Sequence, residues 1–266
     1  MLARHRQSLI LQAVRNDGSA RVSDLTQQLG VSDMTVRRDL EALARDGLIE
    51  KVHGGAVLPG TPTSSHEPGF EAKSVRQLPE KEAVAQQAAT LVRPGTAIGL
   101  SAGTTTWTMA RFLADVPDLT VVTNSIRVAD VLRQSGRTDR TVVLTGGVRT
   151  PSDALVGPVA VQALRTLHLD VVFLGVHGVA QRSGFTTPNL NESEANRAFV
   201  DAAGRLVVVA DHTKWGVVGI STIATLDEAD VLVMDDGLPA EAREFLTDQV
   251  GDLLIVPVRG RREDTA

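Results

Sequence analysis

Along residues 1–57, apolar positions recur with the period of an α-helix. Leu9, Ile10, Ala13 and Val14 mark one side of a helix over 4–16, closed by the turn Asn16-Asp17-Gly18. Val22, Leu25 and Leu29 mark a second helix that ends at Gly30. Val36, Leu40 and Leu43 follow in the i, i+4, i+7 spacing of a buried stripe, which predicts a third. Ser32 precedes that stripe as an N-cap, and Asp33 adds negative charge at the positive end of the helix dipole. The period then shortens. Residues 48–52 and 56–58 alternate on either side of His53-Gly54-Gly55, the signal of a β-hairpin. Three helices and a hairpin predict a winged helix-turn-helix domain over 1–58.

Residues 59–79 lose the periodicity to proline, glycine and hydroxyl residues, the composition of a connector. From 80 to 258 a different pattern holds. Apolar runs at 96–100, 119–123, 141–144, 171–174, 206–210, 231–234 and 253–256 alternate with helical segments near 81–92, 104–113, 126–134, 158–167, 190–203 and 239–248. Runs buried on both faces and joined by helices predict a mostly parallel sheet in an α/β fold. Residues 259–266 form a polar tail.

On the third helix, Met34, Arg38 and Arg45 fall opposite the apolar stripe, with Arg37 on its flank. A solvated amphipathic helix with Glu41 paired to Arg45 accounts for such arginines taken alone. Behind a short helix and a glycine turn, the same face has the form a DNA major groove accepts. The hairpin carries Lys51 and His53 near its tip. His53 stands either as a plain turn residue or as a phosphate contact.

In open α/β sheets ligands bind beyond the carboxyl ends of the strands. The stretches there are Ser101-Ala102-Gly103-Thr104-Thr105, Thr123-Asn124-Ser125, Gly146-Gly147, Gly175-Val176-His177-Gly178 and Asp211-His212-Thr213-Lys214. Any one of them is explained as a tight turn. Together, small residues for close approach, hydroxyl donors, helix starts and a lysine describe a site for a small polyhydroxylated, phosphorylated ligand. The glycine-rich stretches match neither the dinucleotide fingerprint nor the P-loop, so no cofactor is expected. His168 and His177 are too isolated to propose a metal. Glu194 has two readings. With Asp211 and Lys214 it is a general base of an isomerase-like constellation; otherwise it caps its helix or pairs with Arg197.

The chain of 266 residues has a net charge of −5, divided as +1 over residues 1–57 and −6 over the remainder. Nucleic-acid affinity must therefore come from a local patch at the N-terminal end. Aromatic residues make up 3% and tyrosine is absent, which disfavours single-stranded nucleic acid as a target. The absence of cysteine excludes disulfides. No apolar run approaches the ~20 residues of a membrane span, and residues 1–7 lack a signal core, so a cytoplasmic protein with no membrane partner is expected.

Val31-Ser32-x-x-Thr35-Val36-Arg37-Arg38-Asp39-Leu40, followed by Leu43, Gly47, Leu48 and His53-Gly54-Gly55-Ala56, resembles the N-terminal signature of the DeoR family of bacterial transcriptional regulators. The strand-end stretches above, with Gly157 and Glu194-Ala195, resemble that family's sensor domain, which is similar in fold to ribose-5-phosphate isomerase, glucosamine-6-phosphate deaminase and CoA transferases. Ser101 departs from the family, where many members carry Asp. The resemblance implies that Ser32, Thr35, Arg37 and Arg38 face DNA. It also implies that the second half of the connector packs on the sensor domain, with Phe70 buried. The expected function is a repressor of a sugar or related catabolic operon. It would bind double-stranded operator DNA as a dimer or larger homo-oligomer and respond to a phosphorylated sugar in the C-terminal domain. The alternative is an active sugar-phosphate isomerase or deaminase carrying a DNA-binding domain.

Overall fold

A computed structural model describes residues 3–17, 19–52, 55–57, 59 and 69–258. His53, at the hairpin tip, and the tail 259–266 lie outside the described residues. The N-terminal part is built from α1 (Ala3–Asp17), β1 (Ser19–Arg21), α2 (Val22–Leu29), α3 (Asp33–Arg45), β2 (Glu50–Val52) and β3 (Gly55–Val57). The strands form an antiparallel sheet in the order β1-β3-β2. Ile10, Val14, Val22, Leu25, Val36, Leu40, Leu43 and Ile49 are buried together, so the helical stripes meet in one core. Two features were not visible in the pattern. The three-residue β1 extends the hairpin into a sheet. Asp39 is buried on the apolar side of α3, where Arg6 and Gln7 of α1 donate to its carboxylate.

The second half of the stretch read as a connector is helical. It carries α4 (Phe70–Ser74) and runs into α5 (Leu78–Ala89). Phe70 is buried, set edge-on against Trp107 at 5.4 Å, with the Arg127 guanidinium 4.9 Å from its ring centroid. Beyond α5 come β4 (Ala97–Leu100), α6 (Thr104–Phe112), β5 (Thr120–Thr123), α7 (Ile126–Gln134), β6 (Thr141–Leu144), β7 (Val148–Arg149), β8 (Leu155–Val156) and α8 (Pro158–Leu164). The rest comprises β9 (Val171–Gly175), β10 (Gly178–Ala180), β11 (Gly184–Thr187), α9 (Leu190–Ala202), β12 (Leu206–Val209), β13 (Ser221–Ala224), β14 (Val231–Asp235), α10 (Ala240–Gln249) and β15 (Leu253–Val256).

All seven apolar runs are strands of one parallel sheet, in the order β15-β14-β12-β9-β4-β5-β6. Alternate residues supply two cores. Val172, Leu174, Leu206 and Val208 pack with Phe199 and Ala202 of α9 and Leu246 of α10. Val171, Phe173, Val207 and Val209 pack with Val84 and Ala88 of α5, Met109 of α6 and Val128 of α7. Gly99 on β4 lets α9 approach closely. A Cβ there would stand 2.8 Å from Val172 Cγ2 and 3.1 Å from Phe199 Cδ1. A small antiparallel sheet, β10-β11-β13, and the β7-β8 hairpin complete the fold; strands of two to four residues are too short to leave a periodic pattern in the sequence.

The order of strands fixes where a ligand can enter. From β4 the chain steps through β5 to β6 on one side, and β9, β12, β14 and β15 lie on the other. The loops leaving β4 and β9 therefore diverge, which opens a crevice at their carboxyl ends.

Candidate functional site

The first candidate surface is the outer face of α3. Ser32 caps the helix: its hydroxyl accepts from the Thr35 N–H at 3.3 Å and shares a hydrogen bond with the Thr35 hydroxyl at 2.9 Å. Arg37 is exposed and paired with Asp33 one turn earlier. Exposed i, i+4 pairs contribute only about 0.3–0.5 kcal/mol, so a phosphate can displace Asp33 at small cost. Arg38 and Arg45 are exposed, and Met34, one turn before Arg38, is 64% exposed. Lys51 of the wing reaches back to Glu41 of α3 at 3.1 Å. This face is cationic, hydrated and held by weak contacts.

The second is the crevice at the ends of β4 and β9. Ser101 is fully buried and its hydroxyl accepts from the Gly175 N–H at 3.0 Å, tying the two diverging loops together. The Ala102 N–H donates to Asn124 Oδ1 at 2.7 Å, and Asn124 Nδ2 donates to the Leu155 carbonyl at 3.1 Å. Gly103 precedes α6 and offers no side-chain cap, and Thr104 and Thr105 of the first turn line a cleft. Helix N-termini with free N–H groups attract anions.

Four cationic side chains line the same cleft: Lys73, Arg76, Lys81 and Lys214. Its outer lobe has a volume of about 520 Å³ and is lined also by Gln77, His177, Asp211 and Thr213. Lys81 is buried, and its ammonium donates to the carbonyls of Lys73 and Arg76, each at 2.6 Å. Burial pushes this amine down to about 8, with Asp211 opposing the fall and Lys214, Lys73 and Arg76 adding to it. Asp211 caps the 3-10 turn that carries Lys214, accepting from the Thr213 N–H at 3.1 Å. Asp235 accepts from the His212 N–H at 2.6 Å and bonds its ring Nδ1 at 2.8 Å, anchoring the turn from behind. The inner lobe shares Lys73, Lys81, Lys214 and Thr104 with the outer one and is completed by Gly175, Val176, Thr187, Glu192 and Asn196.

Sequence comparison places these surfaces in a family. The profile described as the DeoR-like helix-turn-helix domain matches residues 6–61, and that of the DeoR C terminal sensor domain matches residues 76–236. The chain belongs to the DeoR family. The HTH-type transcriptional regulator GlpR of Haloferax volcanii is 37% identical over 247 residues, spanning 92% of this chain and 94% of that relative. The HTH-type transcriptional repressor CsqR of Escherichia coli strain K12 is 31% identical over 253 residues, spanning 95% of this chain and 94% of its own. Among solved structures, ribose 5-phosphate isomerase A of Methanocaldococcus jannaschii aligns with 51% of this chain and 53% of its own, at 19% identity and a TM-score of 0.37.

In this DeoR-family chain Ala102, Gly103, Thr104, Thr105, Gly175, Asp211 and Lys214 converge on one cleft. Other residues singled out from sequence stand behind it or away from it. Ser101 and Asn124 hold the loops together. Ser125 caps α7, and Thr123 Oγ1 accepts from the Ser125 N–H at 3.0 Å. Gly147 turns the chain where a Cβ would lie 2.4 Å from the Val156 carbonyl oxygen, and Gly146 precedes it at φ 72°. Gly178 passes so near Val217 that a Cβ would sit 2.1 Å from its carbonyl oxygen.

Glu194 lines a separate cleft with Arg197, Asp201 and His168, so the isomerase-like grouping with Asp211 and Lys214 is not formed. It does not cap its helix either: Asn189 does, accepting from the N–H groups of Asn191 and Glu192. Arg197 bonds Asp201 at 2.7 Å and Glu228 at 2.6 Å. The carboxylate that α9 places in the cleft is Glu192. Two residues along a helix are about 200° apart, so Glu192 and Glu194 necessarily point to different sides. Lys73, Arg76 and Lys81 join the cleft without any motif to mark them; the one signal in the sequence is three cations close together across the end of the connector. Asn196 was detectable as the i+4 neighbour of Glu192.

Proposed function

We propose that this DeoR-family protein is a repressor of a sugar or related catabolic operon, released from double-stranded operator DNA by a phosphorylated sugar held in the cleft. The observation that carries this reading is the gathering of Lys73, Arg76, Lys81 and Lys214 around the open N-terminus of α6. A buried ammonium, further cations around it and a helix N-terminus without a side-chain cap together suit a phosphate monoester. The effector acts by binding one arrangement of the protein better than another.

On the DNA side, α3 enters the major groove with Ser32, Thr35, Arg37 and Arg38 toward the duplex, and Lys51 of the wing reaches the backbone. A single winged helix offers few contacts, so two or more copies act together on repeated half-sites. Among the described residues no helix is long and apolar enough to cross a membrane. We place the protein in the cytoplasm, where sugar phosphates and the operator are both present.

The cleft serves binding rather than turnover. Lys81 has the lowered proton affinity of a catalytic amine, yet its ammonium already bonds two carbonyls of the α4–α5 turn and so braces the wall of the site. The test is fluorescence anisotropy of the full-length protein on duplexes from its own upstream region. Tight binding over random duplex, falling steeply with salt and reversed by a sugar phosphate but not by the free sugar, is expected. Equal affinity for random and upstream duplexes would remove the reading.

A further inference from the structure

Glu192 is the only acidic side chain lining the inner lobe of the cleft among the described residues, and it stands in a cavity otherwise rich in cations. It is 8% exposed. Its Oε1 accepts from the Thr150 hydroxyl at 2.8 Å and from the Ser152 hydroxyl, and the two hydroxyl oxygens stand 2.9 Å apart. Both come from the loop between β7 and β8. That loop is braced by Asp153, which accepts from Arg127 Nε and Arg149 Nε, each at 2.7 Å. Burial works against the charge of Asp153, but the two arginines outweigh it and hold the carboxyl below its ordinary range. Arg127 also bonds Glu71 of α4 at 2.7 Å. The carboxylate of Glu192 is therefore fixed in place by a rigid element rather than swinging in solvent. Asn196, one turn further along α9 and 6% exposed, lines the cavity beside it.

We infer that Glu192, assisted by Asn196, is a specificity-determining residue that reads the end of the ligand facing α9. This rests on the reading of the cleft as a phosphate-monoester site. The ligand it selects carries hydrogen-bond donors at that end, hydroxyl or ammonium groups, and not a carboxylate. A carboxylate accepts but cannot donate. In a desolvated lobe a second anion beside Glu192 is repelled far more strongly than it would be in water. The site is thus polar in two senses, with cations and the α6 N-terminus for the phosphate and a buried anion for the polyol.

Calorimetric titration of the full-length protein with four probes tests this. Inorganic phosphate reports the phosphate end alone. D-ribose 5-phosphate, D-glucosamine 6-phosphate and 6-phospho-D-gluconate add a neutral, a cationic and an anionic far end. The wild type should bind the first two sugar phosphates at least about tenfold tighter than the acid, because like charges facing each other in an interface are strongly penalised. Glu192→Gln should narrow that gap by improving the acid and weakening the amine, while leaving inorganic phosphate unchanged. Asn196→Asp, which adds a second carboxylate to the same face, should widen the gap, so the outcome does not hang on one variant. Equal binding of acid and polyol by the wild type, or a gap that neither variant moves, would overturn the inference and leave the phosphate reading standing. Failure of every probe, inorganic phosphate included, to bind the wild type would overturn both.

Discussion

The α3 face and the β4–β9 cleft are both cationic, yet they are built in opposite ways. On α3 the arginines stand in water, and Arg37 is held only by an exposed neighbour. In the cleft Lys81 is buried against two carbonyls and Lys214 is placed by a capped turn. The difference follows from the two partners. A duplex presents a row of phosphates and releases counterions on contact, so solvated, mobile charges suffice. A single small anion offers few contacts, and binding it requires donors that are already oriented and already stripped of water. The comparison also explains why substitutions in the two places should have separable effects.

The largest effect is expected at the cleft. Lys214→Ala should weaken binding of a phosphorylated sugar by about 10- to 100-fold, since a charge-assisted hydrogen bond contributes about 1.5–3 kcal/mol. DNA affinity without effector should stay as in the wild type, and calorimetry beside anisotropy checks both halves. On the other surface, Arg38→Ala should reduce operator affinity by about tenfold or more if it meets a base edge, a contact typically contributing about 1–3 kcal/mol. If Arg38 meets a phosphate instead, the salt slope should fall by about one unit. Effector affinity should not move in either case.

Acidity sharpens the contrast further. Lys81 in the folded protein titrates near 8, below its ordinary 10.5. Between those values the unfolded chain binds more protons than the folded one, so stability should rise with pH over that window. An anion beside Lys81 draws the proton back, so phosphate-ester affinity should decline several-fold from pH 7 to pH 9, with proton uptake on binding visible in buffers of different ionisation enthalpy. In Lys81→Met both effects should vanish. DNA binding through the α3 face should show no matching step. The smallest effect is expected for Asp33→Asn. Losing the pair to Arg37 and one helix-dipole contact should cost under about 1 kcal/mol of stability by thermal melting, while freeing Arg37 and so slightly strengthening DNA binding.

Much of this architecture is legible in the amino-acid pattern because it rests on local periodicity. The seven strands of the parallel sheet are short apolar runs, and the stripe Val36, Leu40, Leu43 points α3 inward without any tertiary information. What the pattern hides depends on distant partners or on helix phase. Asp39 looks like a surface acid until Arg6, thirty-three residues away, arrives beside it. The helix α4 is five residues long and follows a run of proline and glycine, and it is stabilised by Phe70 packing on Trp107 rather than by propensity. Lys81 is buried because carbonyls across a turn receive its charge. For α9, the start at Asn189 decides which of two nearby carboxylates enters the cleft, and residue composition alone does not fix that phase.

The central claim is that the lysine-lined cleft governs the grip of the α3 face on DNA. It is tested most directly by titrating one sugar phosphate into the complex of full-length protein with fluorescent operator, for the wild type and for Lys214→Ala in parallel. Both should start from the same DNA affinity, with the midpoint of release displaced to at least about tenfold higher ligand in the variant, the ratio expected for one lost charged contact. Release at the same ligand concentration in both proteins would contradict the account.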